Sequence, residues 1–388
     1  RYWSLPADPP LVLASPGEYA DAFRDVLAEA VRDRLGVDRA AILLSGGRDS
    51  TAVGALAAEM LRDGRETARI TAHTLSGGVP ADREADYAAV AAGAFGFPHR
   101  VHSVDGHRLF DRLDEPGVVR PQPLAGALLS IDADLNRALA ADARVALTGD
   151  GGDPVLAESE SRLALLWTKG MRWQALGEAL EYARRHRRVP RPGIRTLRRG
   201  GAAAWTAAIP PWMDAEAAAR LGVAGRWERW SRLEPSGHPL RPEAHARVAS
   251  TFWPWWLEQY DAGSTRVPLE FRHPFLDLRV VRFALSVPPA QWYNDKGLLR
   301  IGMRGRIPGR VLRRSKTPLA YDPLLLRLRD RGERPADALH PAVAALVDAG
   351  ALPTYAGGSG PDDWTEAAVH LRPLILSHWL RAGFPPAG

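Results

Sequence analysis

The chain has 388 residues, a formal net charge of +6 and no cysteine. It is too long for one small core, so we expect two or three domains. The absence of cysteine excludes disulfides, thiolate metal sites and a cysteine nucleophile within these residues. The sequence contains no run of about 18 apolar residues, so no membrane span is predicted, and no secretory signal is visible. The first residue is Arg, so we expect that the N-terminus has been lost, cleaved or left out.

Strands and helices alternate in the first part of the sequence. Residues 1–15 read as an extended linker, and Ser15-Pro16-Gly17-Glu18 is a capping box that starts a helix reaching about Leu35. Strands are predicted near 40–44, 69–75, 99–104 and 144–148, and helices near 50–62, 82–95 and 124–142. This alternation predicts an α/β fold over residues 16–156, with a parallel sheet and helices on both faces.

The remaining sequence lacks the strand pattern and is predicted to be helical. We divide it into a helical insert over 157–250 and a helical C-terminal part over 251–388. Residues 184–199 of the insert hold eight arginines, which favours either a solvated helix end and loop or a patch for an acidic partner. Nucleic acid is not expected there, because no aromatic residues are interleaved with the arginines.

A glycine-rich loop, Ser45-Gly46-Gly47, follows the first strand, and Asp49 and Ser50 open the next helix. Glycine lets the backbone approach a ligand closely, and the helix N-terminus directs unpaired N–H groups at the same loop. An anion fits there, usually a phosphate, although the Walker pattern GxxxxGK[ST] is absent. Ser-Gly-Gly-x-Asp-Ser instead resembles the pyrophosphate loop of ATP pyrophosphatases, which split ATP into AMP and pyrophosphate.

A second loop, Thr148-Gly149-Asp150-Gly151-Gly152-Asp153, follows the fourth predicted strand. Ligands of parallel sheets bind beyond the carboxyl ends of the strands, so both loops are expected to face one crevice. Carboxylate oxygen is a hard ligand that suits Mg²⁺. A magnesium ion held by Asp49 and Asp153 would neutralise charge on a pyrophosphate leaving group. A plain Asx-type turn is the structural alternative.

Together the two loops resemble the synthetase domain of the asparagine synthetase superfamily. Three later stretches are similar to motifs of that family: Glu270-Phe271-Arg272-His273-Pro274-Phe275-Leu276-Asp277 to E-x-R-x-P-F-L-D, Lys296 with Leu298-Leu299-Arg300 to K-x-x-L-R, and Ile307-Pro308 with Arg314-Ser315-Lys316 to L-P…R-x-K. Tyr2-Trp3 resembles the linker that joins the family's glutaminase domain to the synthetase domain. The similarity covers almost the whole chain in the right order, and it implies an adenine nucleotide alpha hydrolase-like fold whose active site the C-terminal part completes.

The resemblance implies an AMP-forming carbon–nitrogen ligase that uses ATP and Mg²⁺. A carboxylate attacks the α-phosphorus of ATP, and an amine then displaces AMP to give an amide. Lys316 would lie over the α-phosphate, and Asp150 and Glu270 are candidates for the general base. The nucleotide would contact Ser45, Gly46, Gly47, Asp49, Ser50, Thr148 and Gly149, with Leu44, Leu75 and Ser76 beside the adenine.

Two of these assignments have structural alternatives. Lys296 and Arg300, spaced i, i+4 on a predicted helix, are either phosphate-binding or structural. Glu270 could instead form an ion pair with Arg272 or a neighbour.

Two departures from asparagine synthetases bear on which amide is formed. Class II glutaminases use an N-terminal cysteine, so these residues cannot release ammonia from glutamine, although a preceding segment could hold that domain. The second loop continues Pro154-Val155-Leu156-Ala157, where typical asparagine synthetases have Glu-Leu-Phe-Gly-Gly-Tyr. The stretch Phe252-Trp253-Pro254-Trp255-Trp256-Leu257, together with the segments 296–307 and 314–319, resembles the lasso peptide cyclases best. β-Lactam synthetases are a related alternative.

The cyclase resemblance implies that the N-terminal amine of a core peptide is joined to an Asp or Glu side chain of the same peptide. The Trp-rich stretch would then line the peptide cavity, and core aromatics are the other interpretation. The implied partners are a peptide or small amino-acid substrate, with a leader-peptide-binding protein and a protease as candidates, and neither nucleic acid nor membrane. The cytoplasm is the expected location, because ATP is there.

Besides the β-lactam synthetases, three alternatives to the cyclase interpretation remain. Glutamine-dependent asparagine synthetase belongs to the same superfamily. A tRNA-modifying ATP pyrophosphatase and an inactive scaffold that keeps the fold belong to other classes.

Overall fold

Five parallel strands form one sheet in the order β3-β2-β1-β4-β5. They are β1 (Arg39–Leu43), β2 (Arg69–Ser76), β3 (His99–Ser103), β4 (Val145–Leu147) and β5 (Glu270–Arg272). The first four confirm the predicted strands, whereas β5 lies in the part predicted to be helical. The structure, a computed structural model, describes residues 3–77, 84–123, 126–156, 162–168, 170–186, 209–231, 236–288, 296–314, 324, 327, 339–352 and 364–383.

Helices cover both faces of the sheet, as predicted. On one face, α1 (Pro16–Arg32), α2 (Arg48–Arg62) and α3 (Glu84–Phe95) share a hydrophobic cluster with the strands. On the other face, α4 (Leu129–Asp142) packs its leucines against alanines of β1 and β4. The chain therefore has an α/β fold with a largely helical C-terminal part.

Most of the remaining helices are short. They are α5 (Gly152–Leu156), α6 (Arg162–Thr168), α7 (Arg172–His186), α8 (Ala215–Arg220), α9 (Val223–Ser231), α10 (Pro242–Val248), α11 (Phe252–Glu258), α12 (Ala262–Thr265), α13 (Leu278–Ser286), α14 (Gly297–Gly302), α15 (Gly309–Leu312), α16 (Pro341–Ala344) and α17 (Trp364–Ala382). Within the described residues, no helix combines the length and the apolar character that a membrane crossing needs.

The predicted capping box starts α1. The backbone N–H of Glu18 donates to Ser15 Oγ at 3.3 Å, and Pro16 occupies the first turn. This bond satisfies one of the N–H groups that a helix start leaves unpaired. α1 then packs against α13 and α14, which attaches the C-terminal part to the sheet.

A buried arginine ties the helical insert to the core. Arg241 is fully buried at the start of α10, and its Nη1 donates to the carbonyls of Val155 at 2.7 Å and Ala284 at 3.2 Å. Because a buried charge needs partners, this side chain holds α5, α10 and α13 together. The predicted arginine patch over 184–199 lies mostly outside the described residues.

Candidate active site

The predicted phosphate loop leads directly from β1 into α2. Gly46 has φ +64°, a left-handed conformation that glycine adopts readily, and Gly47 is the N-cap of α2. The hydroxyls of Ser45 and Ser50 are 3.1 Å apart, and the Ser45 N–H donates to Ser50 Oγ. The loop thus presents the N-terminus of α2 at the carboxyl end of β1, where an anion binds favourably.

The second glycine-rich loop packs directly on the first. A Cβ at Gly149 would lie 2.6 Å from the backbone nitrogen of Ser50, and one at Gly152 would lie 2.5 Å from Asp49 Cγ. Both distances are too short for a side chain, so these positions require glycine. The two loops therefore face each other at the carboxyl edge of the sheet.

Asp49, Asp153 and Lys296 form a charged cluster between the loops. The Lys296 ammonium contacts Asp49 Oδ2 and lies 2.7 Å from Asp153 Oδ1. Burial raises the pKa of the Asp49 carboxyl, and the positive charge of Lys296 opposes that shift. Lys296 has φ +54°, an uncommon conformation for a residue with a side chain. The cluster therefore concentrates both signs of charge at the phosphate loop.

The same cluster suits a magnesium ion. Asp49 Oδ1 is buried and accepts no hydrogen bond in the part of the chain that is described, so it is left for a cation. Asp153 reaches the same point, because both carboxylates contact one ammonium group. The described ranges contain no group of three or more His, Asp or Glu side chains that could hold a metal. Phosphate oxygens or water would therefore complete the ligand set of Asp49 and Asp153.

Asp150 lies in a separate polar group with Tyr260 and His273. His273 Nδ1 is 3.6 Å from Asp150 Oδ2 and 2.7 Å from Thr148 Oγ1. Burial lowers the pKa of His273, against the opposing charge of Asp150. Burial, the charge of Asp150 and a hydrogen bond to it raise the pKa of the Tyr260 phenol. At neutral pH, Asp150 is therefore surrounded by a neutral imidazole and a neutral phenol.

Asp132, in the first turn of α4, acts on this group through its charge, and no sequence motif points to it. Its negative charge contributes to raising the pKa of Tyr260. The residue is exposed to solvent, yet the surrounding protein raises its own pKa against the opposing charge of Arg120. Asp132 thus lies at the same edge of the sheet, at the start of α4.

Two sides of the site can now be defined. The phosphate side consists of residues 45–50 with Asp153 and Lys296. The substrate side consists of Asp132, Asp150, Tyr260 and His273.

A row of aromatic rings extends from α11 to the substrate side. The Trp256 ring lies 5.7 Å from that of Phe252 and 6.0 Å from that of Tyr260, which in turn lies 5.1 Å from His273. No residue of α11 is buried, and Phe252 is 38% exposed. The Trp-rich stretch is therefore a partly exposed wall, which favours a cavity lining over core aromatics.

Glu270 is not part of the substrate side. In the register of β4 and β5, Glu270 lies opposite Val145, so it begins its strand at the amino edge, whereas Asp150 follows the carboxyl end of β4. Its carboxylate accepts hydrogen bonds from Arg272 at 2.8 and 3.0 Å, and these bonds hold the pKa of Glu270 below its usual value. The expectation that Glu270 joins Asp150 is corrected by this geometry, which shows the alternative ion pair.

The residues expected beside adenine lie at the carboxyl ends of β1 and β2. Leu44 is buried in the core, its N–H donates to the carbonyl of His73, and its carbonyl accepts from Thr74 Oγ1. Leu44 therefore packs in the core and anchors the start of the phosphate loop. Leu75 and Ser76 are partly exposed at the end of β2 and stay candidates for the contact with adenine.

Lys296 and Arg300 do not act as one i, i+4 pair. Lys296 precedes α14 in a left-handed conformation, so helical spacing does not apply to it. Arg300 instead lines a cavity of about 1340 Å³ along α2, together with Glu59 and Arg304. Lys316 lies outside the described residues, and its place over the α-phosphate stays a prediction.

Two glycine-rich loops at the carboxyl edge of a parallel sheet, with an aspartate from each, define a phosphate-binding α/β protein. The family model described as asparagine synthase matches residues 22–381. The chain therefore belongs to the asparagine synthase family and is an ATP-dependent, amide-forming synthetase.

Other comparisons add little. No curated protein matches the sequence. Among solved structures, the U34-tRNA thiolase NcsA from Methanococcus maripaludis with its 4Fe-4S cluster is 14% identical, with a TM-score of 0.29, and the match covers 62% of this chain and 81% of that chain. A likeness of this degree carries no argument about the fold or the function of the present protein.

Proposed function

We propose that the protein adenylates a side-chain carboxylate of a peptide and closes an amide with an amine of the same peptide, as in the macrolactam of a lasso peptide. The carboxylate oxygen would attack the α-phosphorus of ATP and release pyrophosphate. The amine would then attack the acyl carbon and release AMP, which keeps the attacking oxygen. One water is lost from the peptide in the overall reaction.

The phosphate side would position the triphosphate. The N-terminus of α2 and the glycine loop offer N–H groups to phosphate oxygens, and Lys296 adds positive charge at the same point. A magnesium ion held by Asp49 and Asp153 would supply further charge to the pyrophosphate leaving group. Positioning and charge neutralisation of this kind account for a large part of the catalysis in such transfers. The family resemblance adds Lys316 at the α-phosphate.

Asp150 is the general base that the geometry favours. An ammonium ion is not a nucleophile, so the attacking amine must first lose a proton. Asp150 Oδ2 is buried and has no hydrogen-bond partner among the described residues, which leaves it able to accept that proton. Tyr260 and Thr148 hold the surrounding polar groups in place, since Thr148 Oγ1 accepts from the Asp150 N–H at 3.2 Å.

The aromatic row carries the assignment to a peptide. Free aspartate needs a small polar pocket, whereas the rings between Phe252 and His273 make a long, partly exposed apolar wall beside the proposed base. Such surfaces bind larger ligands through apolar area, with a few polar groups fixing the orientation.

The segment after Asp153 gives independent support. Val155 and Leu156 are fully buried, and the Val155 carbonyl accepts a hydrogen bond from Arg241. Of the positions at which asparagine synthetases have Glu-Leu-Phe-Gly-Gly-Tyr, Val155 and Leu156 are therefore used here for packing.

Mass spectrometry tests the proposal. The purified protein is supplied with ATP, Mg²⁺ and one of two substrate sets, and both AMP and the product mass are scored. With a protease-trimmed precursor peptide encoded near the gene, we expect AMP and a peptide lighter by one water. The assay is run with and without the leader-peptide-binding protein and the protease, because these partners are also proposed.

Asparagine synthesis is the second candidate, and membership of the asparagine synthase family favours it. The second substrate set, aspartate with ammonia, distinguishes the two. AMP with asparagine would replace the cyclase proposal with the ordinary synthetase, and would show that the departure at Pro154 does not alter the substrate.

A further inference from the structure

Arg120, in the loop before α4, is a buried arginine whose side chain has no partner among the described residues. Arg120 is only 3% exposed, and its Nε and Nη1 are buried and donate no hydrogen bond in the described part of the chain. Leaving a buried charged group unpaired costs several kcal/mol. Native structures rarely keep such groups unless a ligand, an ion or a bound water satisfies them.

Asp132 is the nearest candidate for an internal partner, and it does not pair with Arg120. Each side chain perturbs the pKa of the other through its charge, but no ion pair or hydrogen bond joins them in the residues that the structure covers. The segment that carries Arg120 contacts the element that leads to Tyr260, because Gln122 Nε2 donates to Glu258 Oε2 of α11 at 3.1 Å.

Arg120 lines a narrow slot between the loop before α4 and the C-terminal helix α17. Phe110, Leu129, Ile375 and Trp379 also line this slot, whose volume of about 20 Å³ admits a group of about the size of one water molecule. Phe110 has φ +55° and stacks on His378 at 4.2 Å, a strained conformation of the kind that accumulates at ligand sites. The Trp379 Nε1–H donates to the Arg120 carbonyl at 3.0 Å, which fixes the arginine against α17.

We propose that Arg120 binds a carboxylate of the substrate other than the one that is activated. A carboxylate matches the planar guanidinium with two parallel hydrogen bonds. It also fits a small apolar slot better than a phosphate, which is bulkier and more strongly hydrated. Its source is either the C-terminal residue of the peptide or an acidic side chain within it. The inference rests on the proposed function for the identity of the substrate, but the binding itself needs no ATP.

Binding of matched probes without ATP tests the inference. N-acetyl-L-leucine and its carboxamide represent a terminal carboxylate, and N-acetyl-L-aspartic acid amide and N-acetyl-L-asparagine amide represent a side-chain carboxylate. Dissociation constants are measured by ligand-observed NMR for the native protein, Arg120→Met and Arg282→Met. Arg282 pairs with Asp8 on the exposed surface and serves as the matched control.

We expect the carboxylate of at least one pair to bind about 10-fold or more tighter than its amide, the size of a charged hydrogen bond. Arg120→Met should abolish that preference, and Arg282→Met should keep it. The pair that shows the preference identifies the source of the carboxylate. Equal binding of acid and amide in both pairs, or an unchanged preference in Arg120→Met, would overturn the inference.

Thermal unfolding of Arg120→Met separates this role from a structural one. Methionine removes an unpaired charge from the interior, so the midpoint should stay within a few degrees or rise. A fall of more than about 5 °C would show that Arg120 stabilises the fold through a partner, and would contradict the inference. If the native protein prefers a carboxylate probe over its amide but forms no AMP from any substrate, the proposed function is contradicted and the carboxylate site is still supported.

Discussion

The phosphate side and the substrate side are built in different ways. Residues 45–50 and Asp153 come from two loops that pack on each other at Gly149 and Gly152, and Lys296 joins them from a distant part of the sequence. The substrate side instead collects Asp132, Asp150, Tyr260 and His273 from four separate elements. A phosphate site built from contiguous loops has a geometry that relatives using the same nucleotide can share. Side chains from separate elements can be replaced one at a time, so a substrate site of this kind can adapt to a different substrate.

Asp49→Asn should have the largest effect on activity. The substitution removes the charge that we propose holds a magnesium ion at the leaving group, so turnover should fall about 1000-fold, at the upper end of losses of one electrostatic contact. Asp153 still pairs with Lys296, so the fold should persist. AMP formation is measured beside Asp63→Asn, an exposed aspartate after the same helix. Activity within about 10-fold of the native protein would show that the phosphate side does not need this carboxylate.

Gly152→Ala should reduce turnover about 100-fold. The new Cβ would lie 2.5 Å from Asp49 Cγ and would push the Asp49 carboxylate aside, and a displacement of about 1 Å in an active site can have an effect of this size. The matched control is Gly93→Ala in α3, where a Cβ meets nothing within 4 Å. Steady-state AMP formation and circular dichroism are compared for both variants. Equal activity of the two alanine variants would mean that the loops do not depend on their close contact.

Tyr260→Phe should act on the substrate side alone. The phenol is neutral and lies beside Asp150, so its loss should reduce amide formation about 10-fold and leave the KM for ATP unchanged. An altered KM for ATP with unchanged amide formation would place Tyr260 in nucleotide binding instead.

Asp277→Asn should change stability without changing activity. Arg279 and Arg34 hydrogen-bond the Asp277 carboxylate and hold its pKa well below the usual value, at a place away from both sides. The asparagine keeps the cap of α13 but loses these charged bonds, so the free energy of unfolding at pH 7 should fall by about 1–2 kcal/mol.

The pH dependence follows from the direction of that shift. A lowered pKa stabilises the fold above about pH 4 and stops doing so as pH falls towards the folded-state value. The difference between native protein and variant in urea unfolding should therefore be full at pH 7 and shrink below pH 4. A difference that stays constant down to pH 3 would show that the carboxylate charge is not its cause.

Local patterns explain why the phosphate side could be predicted from the sequence. Strand, glycine turn and helix start are contiguous, so the placement of Gly46, Asp49 and Asp153 at one edge of the sheet could be predicted from spacing and sheet topology, while their roles stay predictions. β5 was missed because it has three residues and no alternating pattern. Glu270 was misplaced for the same reason, since its position at the amino edge is apparent only once β5 is paired with β4.

The substrate side could not be predicted in this way. Asp132 and Tyr260 are 128 positions apart in the printed sequence, and no local pattern links an aspartate inside α4 with a tyrosine after α11. Of the residues on the substrate side, Asp150 was predicted because it lies in the second glycine-rich loop, whereas His273 follows β5, a strand that the sequence pattern did not reveal. Arg120 carried no sequence signal, since an unpaired guanidinium is recognised by its surroundings and not by its neighbours in sequence.

Oxygen transfer from the substrate to AMP tests the central claim most directly. The trimmed peptide is prepared with heavy oxygen in its side-chain carboxylate and incubated with the protein, ATP and Mg²⁺. If the carboxylate attacks the α-phosphorus, the AMP should carry one heavy oxygen, and the pyrophosphate should carry none. Heavy oxygen in inorganic phosphate, with ADP as the nucleotide product, would contradict the proposed acyl-adenylate.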